Sequence, residues 1–291
     1  MTDFQKHPVV SSEWLAENLK APDLRVVDGS YYLPHEGLDP RAEYELHHIP
    51  GALFFDIDDI ADSESELPHM LPSPVKFSSK VRKLGLGDGL RIVVYDQRGL
   101  FSAPRVWWSF RHFGHRDVAV LDGGLPKWMA EGRPVDEGES RAGERHFTPR
   151  VDSFLLRDRE QMMGNLKSGR EQVLDARSRG RFEGREPEPR EGLRGGHIPG
   201  SLNLPYGELI EPESQTLKPV EALRAAFEGA GLDMAKPVVT TCGSGITAGI
   251  LALALELAGH KQVAVYDGSW AEWGLPGDTP VESGSAETGG A

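Results

Sequence analysis

The chain carries one cysteine, Cys242, set in the run Val238-Val239-Thr240-Thr241-Cys242-Gly243-Ser244-Gly245-Ile246-Thr247-Ala248. A β-branched stretch precedes it, and an apolar helical pattern from Ala248 to Ala258 follows. The spacing predicts a strand, a tight loop and a helix N-terminus. Backbone N–H groups at the start of a helix have no intrahelical partner, and the helix dipole adds partial positive charge there. A thiol in such a setting ionises readily: free cysteine titrates near ~8.5, and helix N-termini or neighbouring cations lower that to roughly 3.5–7.5. Gly243 and Gly245 are both expected to curl the backbone around one atom, because glycine tolerates positive φ. A lone cysteine is usually a small buried hydrophobe, but a place between a strand and a Gly-x-Gly turn points to nucleophilic chemistry in a cradle of amides. A phosphatase of the Cys-x5-Arg type uses the same cradle and needs an arginine to bind phosphate. Position 248, where that arginine belongs, is Ala248, which excludes it.

Composition narrows the setting. The 291 residues suggest about two domains, and 38% hydrophobic with 26% charged residues is ordinary for a soluble globular protein. No run of apolar residues is long enough to span a membrane, and the first residues show no signal or transit character. A single cysteine excludes an internal disulfide and a cysteine-cluster metal site, and fits a reducing, cytoplasmic setting. The residues imply no cofactor and no metal. A net charge of −13 argues against nucleic acid or an anionic membrane as partner. It also requires that a site for an anionic substrate carry positive charge of its own.

The elements that must hold the loop come in two copies. Leu24-Arg25-Val26-Val27-Asp28 reads as a buried strand, and Val173-Leu174-Asp175 repeats its end. His48-Ile49-Pro50-Gly51 returns as His197-Ile198-Pro199-Gly200; because both halves carry these histidines, His48 and His197 are read as structural. Gly259, Asp267 and Trp273 each follow Gly114, Asp122 and Trp128 by 145 residues. Matches at one offset identify a duplicated domain rather than a short solenoid repeat. Strands alternate with helical patterns in each half, which predicts an α/β fold with a parallel sheet and helices on both faces. The expected domains are 1–136 and 151–291, joined by a charged linker at 137–150, with a frayed Gly/Ser/Glu-rich tail from Glu282. The same offset sets Gln97 opposite Cys242, so only the second copy holds a nucleophile.

A tandem repeat with a cysteine loop in its second copy only resembles the two-domain rhodanese sulfurtransferases. The loop Cys242-Gly243-Ser244-Gly245-Ile246-Thr247 is similar to that of the 3-mercaptopyruvate sulfurtransferases, and Ser102-Ala103-Pro104-Arg105-Val106-Trp107-Trp108, Leu121-Asp122-Gly123-Gly124 and Tyr266-Asp267-Gly268-Ser269-Trp270 extend the likeness from about Val9 to Val281. Thiosulfate-preferring members carry basic residues after the cysteine, where Gly243 and Ser244 stand here. The resemblance implies two rhodanese-like domains and sulfur transfer from 3-mercaptopyruvate through a persulfide on Cys242. It implies that Gly243, Gly245, Ile246 and Thr247 embrace the transferred sulfur. It implies that Arg181 and Arg190 bind the donor's carboxylate and keto oxygen, a task suited to the guanidinium fork. It implies a proton relay of Ser244, His69 and Asp58, and a thiol acceptor of the thioredoxin type. Runs rich in both signs are usually solvated, and Arg185 and Arg194 are read that way. A thiosulfate sulfurtransferase is the enzymatic alternative, and a sulfur carrier or scaffold without turnover is the alternative from another class.

Overall fold

The computed structural model describes residues 3–285. The chain divides into two units, one of Met1–Glu64, Leu71–Asp152 and Ile210–Leu217, the other of Ser65–Met70, Ser153–Leu209 and Lys218–Ala291. Each unit thus includes a short segment from the other half of the sequence, and the two segments begin 145 residues apart.

The first unit is built on strands β1 (Val9–Val10), β2 (Leu24–Asp28), β3 (Leu53–Phe54), β4 (Arg91–Tyr95) and β5 (Val118–Leu121). The second uses β6 (Leu156–Arg157), β7 (Gln172–Asp175), β8 (Leu202–Asn203), β9 (Val238–Thr241) and β10 (Val263–Tyr266). Both sheets are parallel, in the orders β1-β5-β4-β2-β3 and β6-β10-β9-β7-β8. The second is the first with every strand number raised by five.

The central strands are apolar because both faces are covered. All of Val118–Leu121 and Val238–Thr241 is buried. One core gathers Leu15, Val26, Val93, Tyr95, Leu121 and Trp128; the other gathers Met162, Val173, Val239, Tyr266, Trp270 and Trp273. Helices Ala103–His112 and Ala248–Leu257 follow β4 and β9 and are buried along almost their whole length. These apolar helices bring their N-termini to the ends of the central strands, which is where each unit's loop lies. The repeated tryptophans do equivalent work: Trp128 Nε1 donates to Pro134 O at 2.7 Å and Trp273 Nε1 to Pro280 O at 2.8 Å.

The repeated histidines are buried anchors. His48 contacts Tyr44 O at 3.0 Å and Ser140 Oγ at 3.1 Å, and His197 stacks on Phe182 while meeting its carbonyl at 2.8 Å. Residues 137–150 hold no helix or strand, yet pack on the first unit: Phe147 is buried, and its carbonyl accepts from Ser78 Oγ at 3.0 Å. The expected fraying from Glu282 is corrected. Glu282 exchanges two backbone hydrogen bonds with His197, and Gly284 N donates to Glu183 O at 3.0 Å. The rest of the tail, from residue 286, lies outside the described residues. Among the described residues, no helix is long and apolar enough to cross a membrane.

Candidate active site

Strand β9 ends at Thr241, and Cys242 opens the loop that becomes the Ala248–Leu257 helix. Sites in parallel sheets lie beyond the carboxyl ends of strands, and Cys242 occupies that place with its side chain buried. Its backbone is fixed on both sides. Cys242 N donates to Ser269 Oγ at 3.2 Å, Trp270 N donates to Cys242 O at 3.0 Å, and Ala271 N donates to Gly243 O at 2.8 Å. Ser269 holds this arrangement at φ 50°, a left-handed conformation uncommon for a residue with a side chain. Its hydroxyl donates to Tyr266 O at 2.8 Å, which leaves an oxygen lone pair for Cys242 N.

The two loop glycines have different reasons to be glycine, which corrects the expectation that both supply positive φ. Gly245 has φ 80°. Gly243 is outside the left-handed region; a Cβ there would stand 2.9 Å from Arg181 Nη2. Gly245 sets the backbone's course, and Gly243 makes room for a guanidinium.

Among the described residues, no protein group accepts a hydrogen bond from the N–H groups of Ile246, Thr247 or Ala248. The first unit shows the same nest with an anion in it. There Asp96 Oδ2 accepts from Phe101 N at 2.8 Å, Ser102 N at 2.9 Å and Ala103 N at 2.9 Å, while Oδ1 accepts from Arg98 N at 2.9 Å. The expected match of Gln97 to Cys242 is corrected: Asp28 pairs with Tyr95 and Asp175 with Thr241, and Leu125 N donates to Asp96 O as Trp270 N does to Cys242 O, so Asp96 stands where Cys242 stands. Gln97, one residue on, is engaged with Asp28, Tyr32 and the His47 carbonyl.

Positive charge reaches the cysteine loop from the segment after β7. Arg181 lies in the short helix Arg179–Phe182, and its guanidinium packs over Gly243. Glu188 accepts from Arg181 Nη2 at 2.5 Å and Nε at 3.2 Å. Arg190 Nη2 lies 3.4 Å from His69 Nε2. Arg190 also lines a cavity of about 550 Å³ with Pro68, Arg159, Leu193, Glu272 and Leu275; the cysteine loop does not line it. His69 is buried at φ 61° and belongs to the second unit through the segment Ser65–Met70.

One unit therefore contains Cys242, Gly243, Ser244, Gly245, Ile246, Thr247, Arg181, Arg190 and His69. Ser244 is buried two residues after the cysteine. Asp58 belongs to the other unit, exposed in helix Ile57–Ile60, which Asp56 caps. Arg185 is exposed and pairs with Glu183, as a solvated residue does. The solvated reading of Arg194 is corrected. Its guanidinium donates to the carbonyls of Trp273 and Thr279 at 2.9 Å each and clamps the chain after the Ser269–Trp273 helix.

The rhodanese-like domain family matches this chain twice, over residues 11–131 and 158–275. The chain belongs to the rhodanese family. It is 45% identical over 271 residues to the human 3-mercaptopyruvate sulfurtransferase, covering 91% of each chain. It is 44% identical over 287 residues to the thiosulfate sulfurtransferase of Cricetulus griseus, covering 96% of each. Its fold is similar to SseA from Escherichia coli, described among the 3-mercaptopyruvate sulfotransferases, with a TM-score of 0.83 and 38% identity over 91% of this chain and 99% of that one. Tum1 from Saccharomyces cerevisiae superposes with a TM-score of 0.87 at 35% identity, over 94% and 97%.

Sequence reasoning missed Glu188 and Arg177 as parts that hold Arg181, and Asp96 as the first unit's counterpart of Cys242. The offset of 145 hides that match, because the stretch from Cys242 to Ala248 is one residue shorter than that from Asp96 to Ala103. The burial of Glu188 within a run of mixed charge left no signal either.

Proposed function

We propose that the protein transfers sulfur from 3-mercaptopyruvate to a thiol, or to cyanide in assays, through a persulfide on Cys242. The observation that carries this reading is the open nest of Ile246, Thr247 and Ala248 amides beside Cys242, with the Arg181 guanidinium over Gly243. The Cys242 thiolate attacks the donor's thiol sulfur. The carbon–sulfur bond breaks, its electron pair passes to carbon, and the enolate takes a proton to become pyruvate. The outer sulfur stays on Cys242 as a persulfide, and an acceptor thiolate then removes it and restores the thiolate. This is covalent catalysis in two halves. Loop amides, including those of Gly243 and Gly245, stabilise the anionic sulfur without reorganising.

Arg181 and Arg190 answer the charge requirement set by the net −13. They bind the carboxylate and keto oxygen, as charge-assisted donors do. Ser244, His69 and Asp58 form the proposed relay that delivers the proton; unchanged rates across neutral pH in His69→Ala would remove His69 from it. The acceptor is a small thiol or a thioredoxin-like dithiol, the setting is cytoplasmic, and 137–150 links domains 1–136 and 151–291.

A second reading, thiosulfate as donor, is favoured by the likeness to the Cricetulus griseus enzyme. Against it, no cation follows Cys242 at Gly243 or Ser244. Pyruvate release from mercaptopyruvate, set against sulfite release from thiosulfate, decides. A strong preference for mercaptopyruvate is expected, with Arg181→Ala and Arg190→Ala each losing roughly tenfold to a hundredfold in kcat/KM for it and far less for thiosulfate. Better use of thiosulfate by the wild type, or equal losses with both donors, overturns the assignment. Stoichiometric sulfur loading without turnover would make the protein a carrier.

A further inference from the structure

Glu188 is a carboxylate that the proposed chemistry does not use. Its side chain is only 2% exposed, and it divides its oxygens between two arginines. Oε1 accepts from Arg177 Nη1 at 2.7 Å, and Oε2 accepts from Arg181 Nη2 and Nε. Arg177 is itself fixed. Its Nε and Nη2 donate to Asp175 at the end of β7, Nη2 also donates to Gly196 O at 2.9 Å, and its guanidinium stands 4.2 Å from the Trp270 ring centroid. Burial works against the charge on Arg177, but Asp175 and Glu188 outweigh it and hold the pKa above the usual arginine value. Trp270 is also the residue whose N–H holds Cys242 O. A chain of fixed groups therefore runs from β7 through Arg177 and Glu188 to Arg181, and Trp270 ties it to the cysteine loop.

We propose that Glu188 is a positioning residue for the anionic donor: it holds Arg181 by the Nε–Nη2 edge, with Nη2 against Gly243, and so leaves Nη1 and the second Nη2 proton for the donor. An added Cβ at Gly243 would lie 2.9 Å from Nη2 and 4.0 Å from Nη1. The inference deepens the reading of Arg181 as the carboxylate's partner and rests on it. Arginine recognises a carboxylate through the geometry of its fork, and fixing that fork beforehand removes an ordering cost from binding. The negative charge on Glu188 acts the other way, since it opposes an incoming anion. Asp175, Arg177, Glu188 and Arg181 sum to zero charge, and neutralising Glu188 leaves one positive charge in surplus. Charge alone predicts tighter anion binding in Glu188→Gln; positioning predicts weaker binding.

The test compares the rates at which iodoacetate and iodoacetamide alkylate Cys242 in the full chain. The two reagents differ in a carboxylate, and the measurement needs no turnover. In Glu188→Gln the iodoacetate-to-iodoacetamide ratio is expected to fall about tenfold, the scale of one charge-assisted contact. Arg181→Ala should lower it similarly, and the double variant should fall no further. Glu188→Asp keeps a charge for Arg177 but withdraws from Arg181; it should lower the ratio while staying nearer the wild-type melting temperature. A ratio that rises in Glu188→Gln, equal slowing with both reagents, or a further fall in the double variant overturns the positioning role. If Arg181→Ala leaves the ratio unchanged, the carboxylate-binding role of Arg181 fails and takes this inference with it. If the ratios behave as expected but mercaptopyruvate yields no pyruvate, the proposed donor is wrong and the role of Glu188 stands.

Discussion

Asp96 and Cys242 stand at the same place in the two units, each directly after the central strand: Asp28 pairs with Tyr95 as Asp175 pairs with Thr241, and Leu125 N donates to Asp96 O as Trp270 N donates to Cys242 O. In the first unit the carboxylate of Asp96 takes the amides of Phe101, Ser102 and Ala103 for itself. In the second, Cys242 takes the acid's place, and the matching amides of Ile246, Thr247 and Ala248 have no protein acceptor among the described residues. The buried acids after the first long strand differ in the same sense. Asp175 is paired by Arg177, whereas Asp28 meets the N–H of Ser30 and the amide of Gln97. Burial pushes the Asp28 pKa up to about 6. One copy of the fold satisfies its own anion nest; the other leaves the nest without a protein acceptor among the described residues and sets the Arg181 guanidinium over Gly243.

The largest expected effect comes from giving the second unit the first unit's acid. In Cys242→Asp the nucleophile is gone, so sulfur loading should be abolished, and the carboxylate should occupy the amides of Ile246, Thr247 and Ala248. Hydrogen bonds to a charged group contribute about 1.5–3 kcal/mol each, so the second unit should be more stable than in Cys242→Ser by at least about 2 kcal/mol. Chemical denaturation of the two variants measures it; a Cys242→Asp protein no more stable than Cys242→Ser would show that the nest does not hold an anion at this position.

The converse change is next. Asp96→Ala leaves three buried amides without their acceptor, and unmet buried groups cost about 1–3 kcal/mol each, less whatever water recovers. The first unit should lose on the order of 3–5 kcal/mol, read as a shifted denaturation midpoint by a probe confined to that unit. An unshifted midpoint would mean that the filled nest does nothing for stability.

The smallest effect is a pH slope. Asp28 has a folded pKa of about 6 against an ordinary value of 3.8. Its folded pKa is the higher one, so its contribution to stability is fully present below about 3.8 and is lost as pH rises through about 6. The loss is on the order of 2–3 kcal/mol. Asp122, half-buried and accepting from Leu217 N, has a pKa also raised to about 6 by burial and declines over the same window. Asp28→Asn should flatten part of this fall between about pH 4 and 6. An unchanged slope in chemical denaturation would contradict the assignment.

The fold was legible because duplication writes it twice. Helix Ala103–His112 maps onto Ala248–Leu257, and Val118–Leu121 onto Val263–Tyr266, at the offset already visible in Gly114 and Gly259. The cysteine loop was legible because a strand, a Gly-x-Gly turn and an apolar helix leave few other arrangements. The network behind it was not. Glu188 lies in a run whose charges read the same whether solvated or buried, and only tertiary pairing with Arg177 and Arg181 distinguishes them. Arg194 was misread for the same reason: its partners are carbonyls about eighty residues away, which leave no mark on local pattern. The membership of Ser65–Met70, and with it His69, in the second unit likewise depends on long-range packing.

The central claim is that the second unit's open nest exists to hold sulfur on Cys242. Intact-mass measurement after incubation with 3-mercaptopyruvate and no acceptor tests it most directly. The account predicts one added sulfur per chain, located on Cys242, gained as pyruvate is released in equal amount, and absent from Cys242→Ser together with turnover. An adduct or turnover that survives in Cys242→Ser, or a wild-type protein that releases pyruvate catalytically without ever carrying the sulfur, would contradict it.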